Sequence, residues 1–253
     1  MIDLTTLTQL SHNFEIDTFT VLREYIQIRF LSQIYRDQRF TKTYFKGGTC
    51  LRLIYGSSRF SEDLDFTTIL SIPSLGKVLD DTVEKLVKEF AKLRWKEVES
   101  LQGFSAKLYF PVDFAKQELT IKLDFSQRES VIDPVMNAIS TVLPIGGTNL
   151  VEHLSVQEIG AEKIRAVLHR NKGRDIFDLW YLLNHNLSPD LSIISKKLAY
   201  YGEKYAKQKL LEKINSLNEK NMVQDLLRFI PRSERKIVYH LKRLLLLEVE
   251  KKL

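Results

Sequence analysis

The chain has 253 residues, 44% hydrophobic and 28% charged, a composition typical of a globular protein with a packed core. Its single cysteine, Cys50, excludes an internal disulfide and favours a reducing, cytoplasmic location. No apolar run approaches the roughly 20 residues of a membrane helix, and the first ten residues lack the features of a signal peptide, so no membrane association is expected.

The first part of the chain predicts a small mixed-sheet domain. Residues 14–37 are apolar at helical spacing and predict a long amphipathic helix. A short strand over residues 43–45 runs into a di-glycine turn. A helix over 49–55 and a strand over 61–68 follow it.

Further along, a turn precedes a predicted helix over residues 77–93. Residues 104–110 and 118–125 alternate apolar and polar side chains, which predicts antiparallel strands. From about Leu154 the helical period continues to the end of the chain. We therefore predict an α+β protein in which an α-helical domain follows the mixed-sheet domain.

The predicted boundary lies in the glycine-containing segment PIGGTN, residues 144–149. It divides the chain into a domain over residues 1–148, which includes the N-terminal helix, and a helical domain over residues 149–253.

Two acids stand two residues apart on the predicted strand over 61–68. Side chains alternate along a strand, so Asp63 and Asp65 are expected on one face, with Cα atoms roughly 6.5–7 Å apart. Such a pair suits divalent cations bound to nucleotide phosphates. The preceding glycines, Gly47 and Gly48, leave backbone N–H groups at a helix start, where an anionic phosphate is favoured. Turn and acid pair together predict a nucleotidyl-transfer site.

Four segments resemble one known family. They are KGGTCLR at residues 46–52, RFSEDLDF at 59–66, IGAEKIRA at 159–166 and RDIFDL at 174–179. In this order they resemble the motifs of AbiEii/AbiGii-type nucleotidyltransferase toxins, within the DNA polymerase β-like nucleotidyltransferase superfamily. The matching positions span most of the chain.

The resemblance implies a Mg²⁺-dependent enzyme, using one or two ions, that transfers a nucleoside monophosphate from an NTP to an acceptor. The implied acceptor is RNA, with the 3′ end of tRNA as the leading candidate, and the implied role is the toxin of a toxin–antitoxin system with a cognate antitoxin protein. Two alternatives remain open. The same core could modify a protein or a small molecule, or the chain could be a non-catalytic module that binds nucleotides or nucleic acid.

The resemblance also implies functional residues. The metal ligands would be Asp63 and Asp65. The catalytic set would comprise Asp63, Asp65, Lys163, Asp175 and, as a third acid, Asp124. The nucleotide-binding set would comprise Lys46, Gly47, Gly48, Thr49, Arg59 and Ser61. Lys163 and Asp175 would reach the cleft from the helical domain.

Alternative interpretations exist for the acids and the lysine. Asp124 lies on the polar face of the strand over 118–125. It could be a third catalytic acid, or it could be an ordinary half-exposed side chain. Lys163 lies in an apolar helical stripe, where it should meet an anion or extend to solvent. Asp175 and Asp178 fall in the first turn of a helix and could simply complement its dipole. We assign function to Asp175 and expect Asp178 to pair with a nearby arginine, Arg170 or Arg174.

Arg59 and Ser61 have two interpretations each. Arg59 could clamp a phosphate or pair with Glu62 on the surface. Ser61 could contact the triphosphate or merely begin a strand. Toxins of this kind are in some cases controlled by phosphorylation at this serine, and a phosphate on Ser61 would repel an incoming nucleotide.

The net charge of +6 favours a polyanionic partner. Basic residues concentrate in the last hundred positions. They form either a solvated helical face or a groove that contacts nucleic-acid phosphates. The set comprises Lys196, Lys197, Lys204, Lys207, Lys209, Lys213, Arg232, Arg235, Lys236, Lys242 and Arg243.

Overall fold

The computed structural model describes residues 2–100, 103–112, 117–147 and 149–253. Within them lies one seven-stranded mixed sheet accompanied by helices, which confirms the predicted α+β class. The strands are β1 (Thr43–Lys46), β2 (Leu64–Thr68), β3 (Arg94–Val98), β4 (Phe104–Phe110), β5 (Leu119–Ser126), β6 (Pro134–Ala138) and β7 (Leu150–Leu154). The helices are α1 (Leu4–Asn13), α2 (Thr18–Ile34), α3 (Gly47–Leu53), α4 (Ile72–Val87), α5 (Val156–His169), α6 (Gly173–Asn184), α7 (Leu191–Ala199), α8 (Lys207–Asn215), α9 (Glu219–Leu226), α10 (Arg235–Val238) and α11 (Leu241–Lys252).

The chain divides into two compact units, each with its own core. Unit 1 comprises Met1–Gly56 and Phe60–His153, and unit 2 comprises Ser57–Arg59 and Leu154–Leu253. Unit 1 continues beyond residue 148 because β7 adds to the sheet, with His153 opposite Phe45 of β1 in a parallel pair. Thr148, the last residue of the predicted first domain, lies outside the described residues.

The sheet of unit 1 has the strand order β3-β4-β5-β2-β1-β7-β6. Strand β2 runs parallel to β5 and antiparallel to β1. One face is apolar and packs against α2 and α4. Its centre is aromatic, with the rings of Phe66 and Phe125 stacked at 4.9 Å between centroids. The alternation of β2, β4 and β5 places their polar side chains on the opposite face.

Several boundaries differ from those predicted. Strand β2 begins at Leu64 rather than Ser61, so Asp63 precedes the strand. Helix α4 begins well before the predicted start, because the Ser71 side chain accepts a hydrogen bond from the Ser74 backbone N–H and Pro73 is tolerated in a first turn. Helix α1 and the short strands β3, β6 and β7 were not predicted from the sequence.

Unit 2 is built from helices, as the periodicity beyond Leu154 predicts. Its core is aliphatic and aromatic, with Ile164 of α5, Phe177 and Leu183 of α6 and Leu245 of α11 fully buried. Lys197, counted above among the basic residues of this region, lies in the core at 1% exposure. It pairs with Glu158 at 2.6 Å and with Glu162 at 3.1 Å. Among the described residues, no helix combines the length and the apolar character needed to cross a bilayer.

Candidate active site

The central feature of unit 1 is a pair of acids on neighbouring strands. Asp65 of β2 is in register with Asp124 of β5, so two carboxylates project from adjacent positions on the polar face. Both residues are half-buried. The structure therefore brings together Asp65 and Asp124, which are remote in the sequence.

Asp63 lies one residue before β2, also half-buried. Its backbone carbonyl accepts a hydrogen bond from the hydroxyl of Thr49, a buried residue of α3. The Thr49 hydroxyl therefore holds the segment that carries Asp63. Asp63 immediately precedes β2, and Asp65 is the second residue of the strand. The shared face expected for the two acids stays a prediction.

The di-glycine turn lies on the other side of Asp65. Lys46, the last residue of β1, is opposite Asp65 in the antiparallel ladder. Gly47 follows with φ of +79°, and a Cβ added there would lie 2.3 Å from Oδ2 of Asp65. Helix α3 begins at Gly47 with Lys46 as its N-cap. Lysine has no acceptor atom, so its side chain cannot cap the N–H groups of the first turn.

Asp124 has two polar neighbours. The Ser105 hydroxyl on β4 donates to its Oδ1 atom, and Lys122 Nζ lies 2.8 Å from its Oδ2 atom. Burial lowers the pKa of Lys122, but Asp124, Asp63 and Asp65 together raise it above its usual value. The three acids therefore create a negative potential on this part of the sheet. The Ser105 contact was missed in the sequence, because only the register of β4 against β5 reveals it.

These acids fit a magnesium ion that is completed by substrate. In the described part of the chain, no three His, Cys, Asp or Glu side chains form a preassembled metal cluster. Magnesium is commonly held by one or two carboxylates together with substrate phosphates and water. The all-oxygen donors of Asp63, Asp65 and Asp124, with their negative potential, suit this mode of binding.

A second charged cluster lies within unit 2. Lys163 of α5 is 12% exposed, and its Nζ lies 3.1 Å from Asp175 and 2.8 Å from Asp178, both on α6. The lysine of the apolar stripe thus has anionic partners. Burial lowers its pKa, yet the two aspartates raise it above the ordinary value. Lys163 is therefore a cation throughout the physiological range.

Arg59 is buried in the same cluster. Its Nε and Nη2 atoms donate to the two carboxylate oxygens of Asp178 at 2.8 and 2.9 Å, and its side chain is 2% exposed. Its burial overturns the alternative in which Arg59 pairs with Glu62 on the surface, and Glu62 lies 3.3 Å from Arg23. The phosphate contact predicted for Arg59 would have to compete with Asp178, and it stays a prediction.

The partners of Asp178 also differ from those predicted. It pairs with Arg59 and Lys163, whereas Arg170 lies 3.1 Å from Asp175 and Arg174 lies 3.8 Å from Asp225. Burial raises the pKa of Asp178, but the two cations outweigh it and lower the pKa to about 2. The sequence did not identify the Arg59 partner because the two residues are 119 positions apart.

The backbone carbonyl of Ser61, which precedes β2, accepts a hydrogen bond from the Gln27 amide at 3.2 Å. The predicted triphosphate contact and the phosphorylation hypothesis for Ser61 stay predictions.

The comparisons with known proteins point to nucleotidyltransferases. The family model described as nucleotidyl transferase AbiEii toxin, type IV toxin–antitoxin system, matches residues 29–240. MenT4, a nucleotidyltransferase toxin from Mycobacterium tuberculosis, is 17% identical with a TM-score of 0.61, covering 95% of this chain and 89% of MenT4. JHP933 from Helicobacter pylori is 19% identical with a TM-score of 0.56, covering 93% of this chain and 94% of JHP933. At these identities the solved structures share the fold. The search of curated proteins returned no match.

Proposed function

The chain belongs to the AbiEii family of nucleotidyltransferase toxins of type IV toxin–antitoxin systems, and on this premise we propose that it transfers a nucleoside monophosphate from an NTP to RNA. It is a nucleotidyltransferase, and membership of the family implies an NTP substrate and a cognate antitoxin. The 3′ end of tRNA is the proposed acceptor, and the cytoplasm is the proposed location.

The register of Asp65 beside Asp124, next to the Gly47 turn, is the observation that supports this proposal. Asp63 and Asp65 would hold Mg²⁺, and the turn formed by Lys46, Gly47, Gly48 and Thr49 would bind the triphosphate. The ion, when bound, neutralises phosphate charge and lowers the pKa of the attacking hydroxyl.

Asp124 is the proposed general base. It accepts the proton of the RNA hydroxyl, whose oxygen then bonds to the α-phosphorus of the NTP. The bond between that phosphorus and the bridging oxygen breaks, and pyrophosphate leaves. Ser105 and Lys122 orient the Asp124 carboxylate through a hydrogen bond and an ion pair.

Roles for the remaining predicted residues belong to the same proposal. Lys163 and Asp175 would assist with the triphosphate and the leaving pyrophosphate, and Arg59 and Ser61 would contact phosphate. Lys163 and Arg59 would then each replace part of the present ion pairing with a carboxylate by a contact to a phosphate oxygen.

The test uses the full chain, each of the four labelled NTPs and total bacterial RNA. Wild type should label RNA in a Mg²⁺-dependent reaction that releases pyrophosphate. Asp65→Asn should abolish transfer, and Asp124→Asn should lower kcat by about 10²–10⁴-fold, the usual contribution of a general base. Glu84→Gln, at an exposed position on α4, is the matched control and should behave as wild type.

Circular dichroism of each variant would show that the fold is retained. Wild-type activity in Asp65→Asn would refute the proposed metal site. Label transferred to protein or to a small molecule instead of RNA would refute the proposed acceptor, while NTP binding without pyrophosphate release would refute catalysis.

A further inference from the structure

Three lysines are aligned across adjacent strands of the sheet in unit 1. Lys96 of β3 is opposite Lys107 of β4, and Lys107 is opposite Lys122 of β5. We call these three residues the lysine row. Because directly opposed residues point to the same side of a sheet, all three side chains project from the polar face. At the usual spacing between strands, the outer two backbone positions are about 10 Å apart.

This arrangement is unfavourable for the protein alone. Like charges placed directly opposite each other destabilise a strand pair. Lys122 has a partner in Asp124, but in the described portion of the chain no ion pair within 4.0 Å is found for Lys96 or Lys107. Glu118 attracts Lys96 electrostatically without forming an ion pair with it, and it is bound by Arg94 at 2.7 Å. The row therefore carries positive charge that an anionic ligand would stabilise.

The row is accessible and adjoins the candidate active site. Lys96 is exposed, Lys107 is half-buried, and the Lys122 side chain is 40% exposed. In the strand order, the row extends from β5 through β4 to β3, whereas the glycine turn beside Asp65 lies towards β1. The acid pair thus separates the proposed triphosphate site from the lysine row.

We propose that the lysine row binds successive phosphates of the acceptor RNA and directs its reactive end towards Asp124. This inference rests on the proposed function, and it assigns the acceptor to one side of the acid pair. Evenly spaced point charges suit the evenly spaced phosphates of a nucleic-acid strand. The triphosphate of the NTP is a less suitable ligand for the row, because its proposed site is the glycine turn. Contacts to phosphates position a strand without reading its bases. The row therefore contributes affinity and not sequence preference.

The experiment compares two double variants of the full chain. Lys96→Gln/Lys107→Gln removes charge from the row, and Lys77→Gln/Lys88→Gln removes the same charge from exposed positions in and just after α4. Helix α4 packs on the opposite, apolar face of the sheet, where Asp80 accepts a hydrogen bond from Trp95. Binding of fluorescein-labelled bacterial tRNA is measured by anisotropy without NTP at several salt concentrations, and KM values are measured for tRNA and for NTP.

The row variant should bind tRNA on the order of tenfold more weakly, and its slope of log affinity against log salt should be shallower by about 1.4, from two lost phosphate contacts. KM for tRNA should rise accordingly while KM for NTP stays unchanged. The α4 variant should match wild type. The melting temperature of the row variant should not fall, since the substitution relieves repulsion between like charges.

Affinity and salt slope equal to those of the α4 variant would overturn the inference and leave the proposed function standing. A higher KM for NTP with an unchanged KM for tRNA would also overturn it, by assigning the row to the triphosphate. If the wild type failed to label any RNA, the proposed function would fail, and the binding measurements would still decide whether the row holds RNA.

Discussion

Gly47 is constrained by its backbone and by its neighbour at the same time. Its φ of +79° lies in the left-handed region, which L side chains adopt at a cost of roughly 1–2 kcal/mol. The space where a Cβ would sit is taken by the Asp65 carboxylate, 2.3 Å away. Only glycine therefore allows the backbone of residue 47 to lie this close to the Asp65 carboxylate.

Gly47→Ala tests this constraint. The substitution should displace the Asp65 carboxylate, so we expect transfer of labelled NTP to fall at least about tenfold, and the free energy of unfolding in urea to fall by roughly 1–2 kcal/mol. Gly76→Ala is the matched control. An added Cβ at Gly76 meets no described atom within 4 Å, so this variant should retain activity and gain about 0.5–1 kcal/mol in its helix. Full activity of Gly47→Ala would contradict the proposed importance of Asp65.

At the scale of elements, a buried charge cluster joins two helices to a short segment of unit 2. Asp178 of α6 binds Lys163 of α5 and also Arg59, which belongs to the segment Ser57–Arg59. Removing one partner from a buried pair leaves an uncompensated charge, which is more costly than the pair itself is stabilising. The cluster therefore connects α5, α6 and this segment through charges that would be costly to leave unpaired.

Asp178→Asn should lower the free energy of unfolding by about 3–5 kcal/mol, because Arg59 and Lys163 keep their charges while their shared carboxylate is lost. Asp225→Asn is the comparison, since the pair of Asp225 with Arg174 is longer, at 3.8 Å, and partly exposed. It should cost less than about 1 kcal/mol. Urea denaturation measures both, and equal losses would show that burial does not strengthen the Asp178 contacts.

At the scale of the whole molecule, the two units have separate cores, and unit 2 contains a buried acid whose ionised form is stabilised by its partners. Asp178 in unit 2 has its pKa lowered from 3.8 to about 2. A depressed pKa stabilises the fold fully above the unfolded value and loses this contribution as pH falls through the folded value. The shift corresponds to a stabilising contribution of roughly 2–3 kcal/mol, which is lost between about pH 4 and pH 2.

The positions of the two tryptophans allow the loss of stability at low pH to be measured for unit 2. Trp95 lies in unit 1 and Trp180 in the core of unit 2, so Trp180 fluorescence in a Trp95→Phe background reports unfolding of unit 2. Its stability to urea should fall between pH 4 and pH 2. Adding Asp178→Asn should make this fall smaller by roughly 2–3 kcal/mol. The same pH dependence with and without Asp178 would show that other acids control the transition.

Much of the chain could be predicted because the relevant forces act between near neighbours in sequence. The helical period beyond Leu154 and the alternation of β5 arise from burial of one side of each element. The di-glycine turn before the two acids is likewise a local pattern. By contrast, β3 was not predicted, because its side chains are mostly exposed and show no clear alternation of burial.

The sequence by itself determined the fold class, the family and the residue types of the candidate site, because composition, periodicity and short motifs are properties of neighbouring residues. Only the tertiary structure decided that Asp124 lies beside Asp65, that Arg59 pairs with Asp178, and that Lys96, Lys107 and Lys122 form one row. These relations depend on strand register and helix packing, which are selected by burial of a whole face or core. No short stretch of sequence contains that information.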